Sequence, residues 1–237
     1  MTRPEPASAS RAAPLRQTTA TAVRRKERAS FDRALAHEIL DQALLAHVGF
    51  VVDDRPFVVP MVFGRVDDIL YLHGAVGTRI VRTLSAGVPV CVTVTHLDAL
   101  VLAKAQIHHS ANYRSLVLLG TATRVRGAEG ERALAAIVDH ALPGRSTEAR
   151  PPDAAERRRT AVLALPIDEG SVKIRAHGPV DDEVDLALPV WSGLLPVAVR
   201  AGIPTPDPSS ASLAVPASVG VARERLAQPT PAGEGQT

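Results

Sequence analysis

Residues 88–125 read VPVCVTVTHLDALVLAKAQIHHSANYRSLVLLGTATRV, and the alternation of apolar and polar residues along them decides the fold. "VPVCVTVTHL" (88–97), "LVLAKAQI" (100–107) and "SLVLLGTATRV" (115–125) are rich in Val, Leu and Thr and read as three strands. Between the last two lies "HHSANYRS" (108–115), in which only Ala111 lacks a hydrogen-bonding side chain. Such a phrase is either a polar turn or a wall of a binding site.

Outward from this stretch the pattern stays β-rich. "HVGFVV", "FVVPMVF" and "ILYLHG" are short strands separated by the turn-formers "DDRP" and "GRVDD", so an antiparallel meander is expected. Before them, Ser30 can cap a helix in which Phe31, Leu35, Ile39, Leu40, Ala43 and Leu44 recur at helical spacing to about His47. "GAVGTRIVRTLSAG" reads as a turn and a short helix from Thr78 to a stop at Gly87. After the opening stretch come a helix over about Glu131–Leu142, a polar loop or frayed helix at 143–159, strands "TAVLALPI" and "SVKIRA", and a closing "WSGLLPV". Residues 1–24 lack periodicity and are expected to be a disordered tail. Residues 25–204 form the folded domain, and 205–237 are a flexible Pro/Ser/Ala-rich tail. Many short strands with few helices predict a mainly β fold, a small barrel with flanking helices.

Composition narrows the function. Apolar residues are 46% of 237 but aromatics only 3%, so the core must be aliphatic. A net charge of +2 and few stacking side chains argue against nucleic acid. No stretch has the length of a membrane span. The single cysteine, Cys91, sits in an apolar strand, reads as a small buried hydrophobe and fits the cytoplasm. No HExxH, CxxC or HxH spacing supports a metal, so His73, His96, His108 and His109 read as hydrogen-bonded or solvated side chains.

Two segments carry groups suited to a phosphorylated ligand. Thr78 and Arg79 open a helix behind a glycine turn, where unpaired N–H groups and a guanidinium can grip phosphate. Ser110, Asn112 and Ser115 offer short donors and acceptors, Arg114 a fixed cation, and Tyr113 a flat face with a polar tip, which suit a polyol chain and a heteroaromatic ring. Neither a P-loop nor a GxGxxG follows a strand, so the phosphate would not belong to a Rossmann-bound dinucleotide.

Taken together, "LYLHGAVGTRIVRTL", "LDALVLAKAQIHHSANYRSLVLLGTATRV" and "SVKIRAHGPVDDEVDLALPVWSGLLPV" resemble the flavin-binding relatives of pyridoxamine 5′-phosphate oxidase, in particular the group with the nitroimidazole-resistance reductases. The resemblance spans about residues 24–197. It implies an FMN-binding split β-barrel that dimerises, with Thr78 and Arg79 on the FMN phosphate, Arg114 and Ser115 beside the cofactor, and Trp191 in the ring environment. It departs at Ala111, where the closer group has methionine, and at Ile80, where the oxidase has lysine. The expected function is an FMN-dependent oxidoreductase of the flavin-reductase or nitroreductase type, acting on a small molecule with NAD(P)H as a candidate donor. His109, Tyr113 and Arg114 are candidates for proton transfer. The alternatives are a non-catalytic flavin or haem binder and a reductase using the deazaflavin F420.

Overall fold

The computed structural model describes residues 13–227. Its first half contains β1 (Ala29–Ser30), α1 (Arg33–Gln42), β2 (Ala46–Val52), β3 (Arg55–Met61), β4 (Phe63–Val66), β5 (Ile69–Ala75), α2 (Arg79–Ser85) and β6 (Pro89–Leu102). There follow β7 (Ser110–Thr121), β8 (Thr123–Val125), α3 (Gly127–Ala141), α4 (Arg145–Glu148), α5 (Ala154–Arg159), β9 (Thr160–Pro166), β10 (Glu169–Arg175), β11 (Gly193–Pro196) and α6 (Ala217–Ala227).

These strands make two antiparallel sheets, the mainly β, split-barrel architecture expected. One runs β1-β10-β7-β6-β2-β3 with β11 added to β6, and the other runs β4-β5-β9-β8. β3 and β4 are edge strands of different sheets, so the expected meander parts between Met61 and Phe63 and the sheets do not close into one ring. The hairpin joining β2 to β3 turns through Asp53 and Asp54, both at positive φ, a conformation the short Asp side chain tolerates.

The core is aliphatic, as composition requires. Leu70, Leu72, Leu163 and Leu165 of the small sheet meet Val92, Leu116 and Leu118 of the large one, with Ile39, Leu40 and Leu84 from α1 and α2. On the opposite face of the small sheet, Ala133 and Ile137 of α3 cover Tyr71, Val162 and Ala164. Among the described residues, no helix is long and apolar enough to cross a membrane.

Several boundaries differ from expectation. Asp32, not Ser30, caps α1, accepting from the Ala34 N–H at 2.8 Å, and Ser30 lies in β1. α1 ends at Gln42 because Ala46 and His47 already pair with Met61 and Pro60. The two strands expected over 88–107 begin as one, β6, whose register shifts at Asp98 and which stops at Leu102. β7 starts at Ser110, so most of the polar phrase is strand rather than turn. The stretch at 143–159, expected as a polar loop or frayed helix, holds two short helices, α4 and α5, the latter started by a reciprocal Asp153–Glu156 cap.

The ends differ most. Residues 1–12 of the expected N-terminal tail lie outside the described residues. Leu15 of that tail is buried, its N–H donates to Phe31 O at 2.8 Å, and Arg16 reaches Asp168 and Glu169 at 2.9 and 2.7 Å. In the segment expected to be a flexible C-terminal tail, α6 is ordered on α3 and α4. Ser218 Oγ donates to Glu148 at 2.5 Å and Arg225 to His140 O at 2.7 Å. Small residues make this docking (Ser218 and Ala222 are the buried ones), which is why no hydrophobic period announced it.

Candidate functional site

Strand alternation sorts the polar phrase onto two faces. Asn112 and Arg114 point with Leu116 and Leu118 toward the interior and are 6% and 7% exposed. Ala111, Tyr113, Ser115 and Val117 share the other, half-open face. Ser110 is exposed at the strand's first position, and His109 precedes it, its Nδ1 3.1 Å from Ala105 O. The residues expected around one ligand are therefore not all brought together.

The inward pair is engaged within the chain. Arg114 Nη2 and Nε donate to Asp98 at 3.1 and 3.2 Å, and Nη1 donates to Gln42 at 2.6 Å, joining β7, the β6 irregularity and α1. Asn112 Oδ1 accepts from Arg175 Nη1 at 2.5 Å and from the His177 N–H at 3.3 Å. Burial pushes the Arg175 guanidinium below its usual range. Both networks hold strands in place.

The outward pair is half-open, with Ser115 Oγ donating to Lys173 O at 3.4 Å. Tyr113 lies opposite Leu97 and Ser115 opposite Thr95, and on the other side Ser115 lies opposite Lys173. Lys173 Nζ sits 5.6 Å from the Tyr113 ring centroid. Thr95, Leu97, Tyr113, Ser115 and Lys173 thus form a mixed face with a ring, two hydroxyl side chains and a cation.

Thr78 and Arg79 lie elsewhere. Thr78 Oγ1 donates to Ala75 O at 2.8 Å and does not cap α2. The Arg79 guanidinium lies 4.5 Å over the Phe57 ring, open to solvent. Phe57 pairs with Phe50 and Gly49 pairs with Cys91, which sets Phe57 level with Val90. From Val90 to Leu97, beside Tyr113, is seven residues, about 23 Å at ~3.3 Å per residue. The two groups mark opposite ends of the sheet.

Trp191 is 67% exposed and lies over Gly193, where a Cβ would come within 2.7 Å of the indole. The arm carrying it is fastened by Lys104. The Lys104 N–H donates to Asp181 at 2.7 Å, and Nζ donates to the carbonyls of Leu188 and Val190 at 2.6 and 2.9 Å. Nothing in the sequence singled out Lys104, since its partners lie more than 70 residues away.

A large cavity is also present. Along one edge β6 pairs with β2 over Cys91–Thr93 and with β11 over Ala99–Leu102. Between them no strand pairs with this edge, and a cavity of about 1080 Å³ opens there, bounded by α1, Leu44, Leu45, His47, Thr95–Asp98, Val197–Val199 and Arg225. His96 Nε2 is 2.9 Å from Ile39 O, and His37 Nε2 is 3.0 Å from Asp68 but out of line for a hydrogen bond. Among the described residues no three His, Cys, Asp or Glu side chains are grouped to hold a metal ion directly. Cys91 is half-buried and burial raises its thiol pKa, the behaviour of an inert side chain.

Comparison with known proteins gives a consistent picture. The family model described as pyridoxamine 5′-phosphate oxidase matches residues 32–174. Among solved structures, the FAD and haem binding protein of Mycobacterium smegmatis is 35% identical, with a TM-score of 0.80, covering 83% of this chain and 97% of its own. The flavocytochrome Anf3 of Azotobacter vinelandii is 36% identical, with a TM-score of 0.81, covering 88% and 98%. A Bacteroides thetaiotaomicron protein ascribed to 5-nitroimidazole antibiotic resistance is 26% identical, with a TM-score of 0.51, covering 61% and 86%. A comparison with curated proteins found no match.

Proposed function

The chain belongs to the pyridoxamine 5′-phosphate oxidase family, and on that premise we propose that it is a flavin-dependent oxidoreductase of the cytoplasm. The observation that carries this reading is the outer face of β7, where the Tyr113 ring, the Ser115 hydroxyl and the Lys173 ammonium stand together on one half-open face. Bound there, a flavin supplies electron and hydride transfer that no side chain provides. Tyr113 offers a flat surface and a hydroxyl for a ring, Ser115 a short hydrogen-bonding arm, and Lys173 a positive charge beside it. Arg79 grips phosphate from the far end of the sheet. Because one chain sets Arg79 and Tyr113 at opposite ends, each flavin draws on two copies, the α2 of one facing the β7 of the other.

FMN is the flavin that the resemblance implies, and FAD is the one named for the Mycobacterium relative. Haem is named for the same relative, and the second is named a flavocytochrome. The large cavity beside β6, lined by His37, His47 and His96, favours haem as a second cofactor in this chain too.

The spectrum of the purified chain tests the flavin. Flavin bands that survive dialysis are expected. Arg79→Ala should weaken flavin affinity roughly a hundredfold, the equivalent of one charge-assisted pair at about 2–3 kcal/mol, with its melting temperature unchanged. A chain that retains neither FMN nor FAD after reconstitution contradicts the proposal.

A further inference from the structure

A second cleft, of about 500 Å³, opens where β8, the first turn of α3, the end of α5 and the start of β9 meet. It belongs to the small sheet, whereas the face of Tyr113, Ser115 and Lys173 and the cavity beside β6 belong to the large one. Its volume falls within the range of roughly 300–1,000 Å³ typical of ligand pockets. Arg124, Arg126, Arg157 and Arg158 line it, and Val125, Leu134 and Val162 give it an apolar wall.

Charge in this cleft is unbalanced. Glu131 is the one carboxylate of the lining, and it lies 3.5 Å from Arg157. Neighbouring carboxylates are engaged elsewhere. Glu129 accepts from the Tyr71 hydroxyl at 3.1 Å, and Glu156 accepts from Arg150 at 2.7 Å and from the Asp153 N–H at 2.8 Å. Arg124, Arg126 and Arg158 make no side-chain hydrogen bond or ion pair to any described residue. Three like charges around one cleft repel one another, and the chain supplies no counter-charge for them.

The helix that opens here sharpens the imbalance. Arg126 stands at the N-cap of α3, where Ser, Thr, Asp or Asn would satisfy a free N–H, and its side chain caps nothing. It also adds positive charge at the positive end of a 15-residue helix. Breaches of local rules of this kind are expected at sites that bind something. An anion removes both defects, pairing with the guanidiniums and accepting from the open N–H groups. Gly127 lines the cleft at this turn, and nothing lies within 4 Å of a Cβ placed on it, so the backbone is open to a ligand.

We propose that this cleft binds a polyphosphate chain joined to an apolar or aromatic body, as in a nucleoside di- or triphosphate, at a site separate from the flavin. A single phosphate does not balance three unpaired guanidiniums, and a bare polyphosphate leaves the wall of Val125 and Leu134 uncovered. The arginines take the phosphates by charge-assisted hydrogen bonds, and the apolar wall takes the base.

Titration calorimetry on the full chain as purified, at fixed ionic strength, compares ATP, tripolyphosphate and inorganic phosphate. ATP is expected to bind most tightly, tripolyphosphate several-fold more weakly and phosphate most weakly. Arg124→Gln and Arg158→Gln should each weaken ATP binding roughly ten- to a hundredfold, the loss of one charge-assisted contact, with the visible spectrum unchanged. Arg126→Asn supplies the missing cap, so it should raise the melting temperature of the ligand-free chain while weakening ATP binding. Failure of ATP to bind, or its equal displacement by sulfate at the same ionic strength, would overturn the site. Tripolyphosphate binding as tightly as ATP would remove the organic body from the proposal. Flavin lost together with ATP in Arg124→Gln would assign these arginines to the flavin and refute a separate site.

Discussion

Arg114 and Tyr113 are neighbours in sequence with opposite fates. The strand period of two turns Arg114 inward onto Asp98 and Gln42 and leaves Tyr113 on the open face. The same inward burial shapes the acid response of the molecule. Burial pushes His73 and His140 below the ordinary histidine range, although the Ala43 carbonyl, 2.8 Å from His140 Nε2, opposes it for His140. Their folded forms then bind fewer protons than the unfolded chain near the ordinary histidine value of 6.5. Stability therefore rises with pH through that value and falls as pH drops below it. Urea midpoints measured from pH 8 to 5 should be level down to about 6.5 and then decline, well above the region where carboxylates titrate. Midpoints that stay constant down to pH 5 would show that neither histidine stays neutral in the fold.

Each element's place depends on a few close approaches. α3 lies so near β4 that a Cβ on Gly64 would meet the Ala136 carbonyl carbon and the Ile137 nitrogen at 2.7 Å, both backbone atoms that cannot rotate away. Gly64→Ala must separate helix from strand and should cost about 1–3 kcal/mol. For a chain of this size that is a fall in melting temperature of roughly 2–12 °C, to be read by calorimetry, and an unchanged melting temperature would mean the helix has slack. Element type was legible where alternation was strong, as in β2 and β7, and where a short apolar run lay between turn or loop signals, as in β5 and β9. Joins were less legible. The polar phrase looks like a turn because its side chains are polar, yet pairing with β6 and β10 satisfies its backbone and extends the strand through it.

Across the whole molecule, exposed apolar side chains gather where β6 and the arm meet. Leu97, Leu100, Leu194, Leu195 and Trp191 are each 42–67% exposed, and a patch of this kind marks a surface that another molecule covers. In the two-fold arrangement proposed above, a second copy would cover it and bring Arg79 to the flavin face. Light scattering of the flavin-loaded protein should give a mass near twice the 25.0 kDa of the chain. A mass of one chain at concentrations well above the flavin dissociation constant would remove the shared-site arrangement. Charge is also uneven, since Arg124, Arg126, Arg157 and Arg158 border a second cleft of about 500 Å³ on the α3 face with only Glu131 to offset them.

The sequence by itself determined the β-rich class, the aliphatic core and the family, because hydrophobic period and local motif are properties of neighbouring residues. It also marked Tyr113 and Ser115 as ligand-facing candidates from their chemistry alone. Only the tertiary structure decided that Asn112 and Arg114 are tied up by Arg175, Asp98 and Gln42, that Thr78 and Arg79 sit at the far end of the sheet, and that both ends of the domain dock. It also decided that β2 and β11 leave a gap along β6 with His47 at its mouth. These outcomes depend on strand register, on partners 16 to more than 70 residues apart and on the packing of small side chains, none of which leaves a periodic trace along the chain.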